Sequence, residues 1–137
     1  MNAVKTFVDT NILLYAFTST EPDKQKVALE HLSSCIPTIS TQVIKEFTHV
    51  LLKKTDFDLR YIKDVISDIV SVSDVASEEL SHIIEALDLR ERYGYSFYDC
   101  LIIATALSLN CAVLLSEDMQ NGQMVENRLL ITNPFLH

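Results

Sequence analysis

A chain of 137 residues with 48% hydrophobic and 22% charged residues is long enough for one domain with a true core and too apolar for a disordered segment. It holds no run of 18 uncharged apolar residues, so no membrane span is expected, and its net charge of −8 excludes a broad basic field for nucleic acid. Its only glycines are Gly94 and Gly122, which leaves neither a G-x-G-x-x-G nor a P-loop to cradle a nucleotide's phosphates.

Residues 3–8 read as a strand, and Asp9-Thr10-Asn11 follows it directly. A short helix runs from Ile12 to about Phe17. Glu21-Pro22-Asp23 starts the next helix, since proline is tolerated in a first turn, and it reaches about Ser34. Residues 36–39 form a short strand, with Pro37 at its beginning or on an edge. A helix follows from Thr41 to about Lys54, with Ile44, Phe47 and Leu51 spaced to face a core and Glu46 beside that face.

Asp58 caps another helix whose Ile62, Val65, Ile66 and Ile69 share one side, and residues 70–72 read as a brief strand. Leu80, Ile83, Ile84 and Leu87 mark a further amphipathic helix, ended by Gly94 as a left-handed cap. The stretch from Tyr98 to Leu109 is apolar nearly all round, so its helix should be central and buried. Residues 112–115 and 129–132 are the last strands. Short strands alternating with helices predict one α/β domain over residues 1–137, with a mostly parallel five-stranded sheet flanked by helices. Cys35, Cys100 and Cys111 are odd in number and widely spaced, which argues for core thiols rather than disulfides or a zinc knuckle. The N-terminus lacks a signal-peptide pattern, because Lys5 and Asp9 interrupt its apolar stretch; a cytoplasmic location is expected.

Four acids stand where a strand gives way to a helix or inside an early helical turn: Asp9, Glu46, Asp99 and Asp118. Each has a plain structural reading. Asp9 or Asn11 caps a helix, Glu46 is solvated, Ser96-x-x-Asp99 approximates a capping box, and Asp118 lies in a polar turn with Glu117. As a set they suggest more. The carboxyl ends of strands in an open α/β sheet face one crevice, where ligands bind. Carboxylates gathered there repel each other unless a hard cation holds them, which points to Mg²⁺ or Mn²⁺ and phosphodiester hydrolysis. Setting these four acids aside reduces the net charge from −8 to −4, so part of the acidity belongs to the site. Asn11 is expected to orient Asp9 through its amide, and Ser116 to bond the neighbouring acid or a bound water. Lys45, Lys53, Lys54, Arg90 and Arg92 are candidate phosphate contacts, and Tyr95, Phe97 and Tyr98 are candidate base-stacking rings, with core packing the first expectation for Phe97.

Four segments carry a family resemblance: Phe7-Val8-Asp9-Thr10-Asn11-Ile12-Leu13, Thr41 to Phe47, Tyr98-Asp99-Cys100-Leu101-Ile102-Ile103-Ala104-Thr105-Ala106, and Leu115 to Gln120. In these the chain resembles the PIN-domain ribonucleases, specifically the VapC-type toxins of toxin–antitoxin pairs. The resemblance implies an acidic site of Asp9, Glu46, Asp99 and Asp118 for one or two Mg²⁺ or Mn²⁺ ions, with Glu117 as the competitor for the fourth place. It also implies endonucleolytic cleavage of RNA, a homodimer and a cognate antitoxin. Two other functions compete. One is an aspartate-nucleophile phosphotransferase using Asp9, although Asn11 stands where its second aspartate belongs. The other is a catalytically silent module that binds RNA or protein.

Overall fold

The computed structural model describes residues 4–136. In chain order the elements are β1 (Thr6–Val8), α1 (Thr10–Phe17), α2 (Pro22–Ser33), β2 (Thr38–Ser40), α3 (Thr41–Lys54) and α4 (Leu59–Ser71). They continue as β3 (Asp74–Ala76), α5 (Leu80–Tyr93), α6 (Phe97–Ser108), β4 (Val113–Leu115), β5 (Met124–Val125) and β6 (Leu129–Thr132). The strands form one sheet in the order β3-β2-β1-β4-β6-β5, all parallel except the β5–β6 pair. Residue 3, where the first strand was expected to begin, lies outside the described residues.

Local chemistry explains most helix ends. Asp58 accepts from the Tyr61 amide and caps α4, Ser40 caps α3 through the Val43 amide, and Ser96 caps α6 through the Asp99 amide. Gly94 ends α5 at φ 78°, a left-handed conformation in which a side chain is strained. The predicted helix over 41–54 matches α3.

Three expectations are corrected. Residues 70–72 are not a strand: α4 runs through Ser71 because Ile69 still packs into the core, and the edge strand follows at 74–76. The sheet has six strands rather than five, the extra one being the two-residue β5. The expected apolar face of α5 does not enter the core. Leu80, Ile83, Ile84 and Leu87 are exposed, and Ala86 and Leu89 are buried instead.

The core lies between the sheet and its helices. Phe7, Val8, Ile39, Leu114, Leu115, Leu129 and Ile131 come from the strands, and α6 supplies an unbroken buried run from Cys100 to Leu107. That burial fixes α6 across the sheet and puts its first turn, with Asp99, at the carboxyl ends of the strands. Cys100 and Cys111 are core thiols as expected, whereas Cys35 is only half-buried.

Candidate active site

β1 pairs with β2 on one side and β4 on the other, so the chain's direction of travel across the sheet reverses at β1. Ligands of open α/β sheets bind at such a switch point. Asp9 ends β1 there. Its amide donates to the Leu115 carbonyl at 3.0 Å, which holds it beside the end of β4. Ser116 closes the gap by donating its hydroxyl to Asp9 Oδ2 at 3.0 Å, while the Thr10 amide donates to Asp9 Oδ1 at 2.7 Å. Asp9 therefore does cap α1, and it is only 6% exposed.

The other acids surround it at increasing exposure. Asp99 is half-buried, and Glu46 and Asp118 lie on the solvent-facing rim. Glu46 accepts from Gln42 Nε2 at 3.1 Å and from Thr10 Oγ1 at 3.4 Å, so Thr10 bridges the first two acids. Asn11 does not bond Asp9 as expected. Its amide nitrogen donates to Asp118 Oδ2 at 2.6 Å and ties the rim acid to α1.

The electrostatics link the set. Burial, the largest cause, pushes the Asp9 carboxyl up to about 7 against the Thr10 and Ser116 bonds, and the charges of Asp99 and Glu46 push it further. The Asp99 carboxyl is raised first by burial, opposed by Ser96, and then by the charge of Asp118. Glu46 is an exposed residue, but its carboxyl rests against Gln42 and Thr10. Loss of water there raises it, those two bonds oppose, and Asp99 and Glu78 add repulsion. None of the ion pairs among the described residues involves Asp9, Glu46, Asp99 or Asp118. Such mutual repulsion is costly unless a cation relieves it.

Glu117 is turned elsewhere. It takes the Lys24 ammonium and the Tyr15 hydroxyl, the latter at 2.6 Å. Burial would raise its carboxyl, but these bonds outweigh burial and hold it below the ordinary carboxylate range. The position next to Asp99 thus falls to Asp118. Arg92 is also occupied: it pairs with Glu126, and Tyr93 bonds the same turn, which clamps α5 to the β5–β6 hairpin. Lys45 stands on the exposed side of α3, next to Glu46.

Sequence reasoning missed three supporting residues. Gln42 stands four residues before Glu46, a helical spacing that brings side chains together and could have flagged it. Thr10 was read only as part of the Asp9 segment. Glu78 lies far away in sequence and had no local signal. It accepts from Thr41 Oγ1 at 2.6 Å and from the Gln42 amide at 2.8 Å, anchoring the start of α3. Burial would raise the Glu78 carboxyl, but these bonds hold it below its ordinary value.

Comparison with solved structures finds the same fold in proteins of low identity. A chain of a toxin–antitoxin complex from Klebsiella pneumoniae aligns with a TM-score of 0.73 at 17% identity, covering 96% of this chain and 98% of that one. The VapC20 toxin of Mycobacterium tuberculosis, described as cleaving the sarcin–ricin loop, aligns at 0.70 and 17% identity, over 83% and 90% of the two chains. VapBC2 from Rickettsia felis, bound to a promoter DNA fragment, aligns at 0.68 and 20% identity, over 93% and 97%. No curated protein matches the sequence significantly. The sequence profile of the PIN domain, however, matches residues 6–121, a span that contains all four acids and every strand of the sheet's parallel core but the last. The chain belongs to the PIN domain family.

Proposed function

We propose that the chain is a metal-dependent endoribonuclease that hydrolyses RNA phosphodiester bonds, acting in the cytoplasm as the toxin of a type II toxin–antitoxin pair. One observation carries the reading: a buried aspartate at the sheet's switch point shares its field with further carboxylates, and none of the described ion pairs neutralises them. All the donors are oxygen, which suits Mg²⁺ or Mn²⁺ over softer ions. Among the described residues no three His, Cys, Asp or Glu side chains converge tightly enough to enclose an ion. A zinc cage would need that convergence. Mg²⁺ does not, because it is held through one or two carboxylates and keeps several waters. Asp9, Asp99, Glu46 and Asp118 are the residues that would hold it.

Bound there, a divalent ion supplies an acidified water and charge stabilisation for the leaving oxygen. The chain's own part is positioning. Ser116 and the Thr10 amide fix both oxygens of Asp9, Gln42 and Thr10 aim Glu46, and Asn11 steers Asp118. With both oxygens engaged and almost no exposure, Asp9 is a poor nucleophile for in-line attack, which counts against the phosphotransferase reading.

The decisive assay incubates purified protein with total cellular RNA in Mg²⁺ or Mn²⁺ and in EDTA. Cleavage with either ion and none in EDTA is expected. Glu117→Gln should cleave within about twofold of wild type, since it removes a structural ion pair of modest worth. An absence of cleavage with both ions, together with no ion binding by calorimetry, overturns the proposal. Ion binding without cleavage favours the silent module.

The partner assignments rest on surfaces. Leu80, Ile83, Ile84 and Leu87 form an exposed apolar row on α5, which supports a homodimer. The net charge of −8 suits a basic antitoxin. Light scattering on the antitoxin-free protein should give twice the 15.5 kDa chain mass; a monomer mass at working concentration removes the dimer from the reading.

A further inference from the structure

A groove of about 380 Å³ opens beside the carboxylates, lined by Gln42, Lys45, Glu46, His49, Val50 and Tyr98. Five of these come from successive turns of α3, and Tyr98 comes from the first turn of α6, one residue before Asp99. The groove therefore shares Glu46 with the acidic site. Three features make it more than a crease between helices.

The first is an aromatic face. Tyr98 is 62% exposed, and its ring is braced edge-on by Phe97 at 5.3 Å between centroids. The second is a cation in an acidic chain. Lys45 is exposed and makes no hydrogen bond or ion pair among the described residues, while Lys24 and Arg92 are both held by glutamates. The third is a fixed wall between the two helices. Gln42 is 7% exposed, and its amide nitrogen donates to Glu46 and to the Tyr98 carbonyl, the latter at 3.2 Å. These two bonds fix which end of the amide is which. The remaining Oε1 is enclosed and meets no donor.

An exposed aromatic and an adjacent cation on a rigid wall are the parts used to hold an unstacked base and its phosphate. We infer that this groove is the subsite for a nucleobase of single-stranded RNA flanking the scissile phosphate. The base stacks on Tyr98, Lys45 meets a backbone phosphate, His49 offers a ring nitrogen to the base edge, and Gln42 holds the wall by tying Glu46 to Tyr98. The inference rests on the ribonuclease reading of the acidic site and adds to it where substrate is read. It would also let a chain of net charge −8 attract a phosphate backbone locally, without a broad basic field.

Two measurements test it. The four 5′-nucleoside monophosphates are titrated into wild type in EDTA and followed by amide NMR shifts. Shifts at Lys45, His49, Val50 and Tyr98 are expected with at least one of them, and should vanish in Tyr98→Ala. Cleavage of a randomised single-stranded RNA pool is then compared among variants. Tyr98→Ala and Lys45→Ala should raise KM roughly tenfold with kcat within about threefold, the stacking loss lying within the usual range for one base. Tyr98→Ala should also flatten the base preference at one position beside the cut, and Tyr98→Phe should restore it. The subsite is wrong if no nucleotide shifts the groove amides. It is equally wrong if wild type cleaves and Tyr98→Ala keeps both KM and base preference. If wild type cleaves no RNA, the ribonuclease reading fails by itself and the nucleotide titration still decides the groove.

Discussion

Asp99→Asn should abolish metal-dependent RNA cleavage, lowering kcat by more than about 100-fold while the protein stays folded. Asp99 stands at the centre of the charge network: its field raises both Asp9 and Glu46, and it is itself raised by Asp118. Removing its charge leaves the other three acids with less reason to hold a cation together. Disturbing a residue behind a metal ligand already costs about 10- to 100-fold, so loss of a ligand should cost more. The fold should not suffer. The Ser96 cap bonds the Asp99 backbone amide, which the substitution leaves in place, and the α6 core from Cys100 to Leu107 is untouched. The favourable interaction of a carboxylate with the helix N-terminus is lost, about 0.3–1 kcal/mol, but repulsion from the neighbouring acids is relieved as well. Circular dichroism, calorimetric titration with Mn²⁺ and an RNA cleavage time course form the measurement. A folded variant that cleaves as fast as wild type would remove Asp99 from the site and with it the proposed chemistry.

The folding signals that could be read from sequence were those carried by neighbouring residues. Asp58 as a cap, Gly94 as a left-handed stop and the helix over 41–54 depend on side chains within a few positions, and each is present in the fold. The errors arose where distant partners decide. Residues 70–72 are rich in valine and look like a strand, but the burial of Ile69 keeps them in α4 or just after it. β5 was missed because it is two residues long and its turn places Glu126 and Asn127 at φ 50° and 55°. Such turns normally advertise themselves with an Asn-Gly or Asp-Gly pair, and Glu126-Asn127 is neither. Here Arg92 and Tyr93 bind Glu126 and hold the turn from outside.

The candidate site follows the same division. The four acids were visible because three sit at a strand or helix boundary and Glu46 sits one turn into α3, and the geometry puts them at one end of the sheet. Their supporting bonds were less visible. Asn11 reaches across 107 positions to Asp118, and Glu117 finds Lys24 across 93, distances that no local pattern encodes. That tertiary information is what separates adjacent Glu117 and Asp118, the first into an ion pair with Lys24 and the second to a place beside Asn11 and Asp99. The apolar row on α5 shows the converse problem. Helical spacing identified the row, but spacing alone cannot say whether the same chain covers it, and among the described residues nothing does.

The metal-free protein should lose stability as pH rises from about 4 to 7, and Asp9→Asn should remove most of that loss. Asp9 is almost wholly enclosed, and burial raises its carboxyl from 3.8 to about 7. The unfolded chain releases this proton at the lower value and the folded chain at the higher one. Between them the folded state binds more protons, so unfolding becomes easier as pH increases. The contribution is complete below the unfolded pKa and gone above the folded one, and it is worth up to about 4 kcal/mol. In Asp9→Asn the amide oxygen can still accept from Thr10 and the amide nitrogen can donate to the Ser116 hydroxyl, so the local bonds survive without the charge. If half of the maximum is realised, melting in EDTA at pH 8 should rise by about 5–10 °C in the variant, with little change at pH 4.5. A divalent ion should reverse the ranking. Binding only to the folded wild type, at about 100 times its Kd, it would add about 2.7 kcal/mol at pH 8. The variant should gain far less. Other carboxylates also contribute to the pH slope, so the informative quantity is the difference between the two proteins across the range. Parallel melting profiles in EDTA would show that Asp9 carries no buried charge, and equal stabilisation by Mn²⁺ would show that it holds no ion.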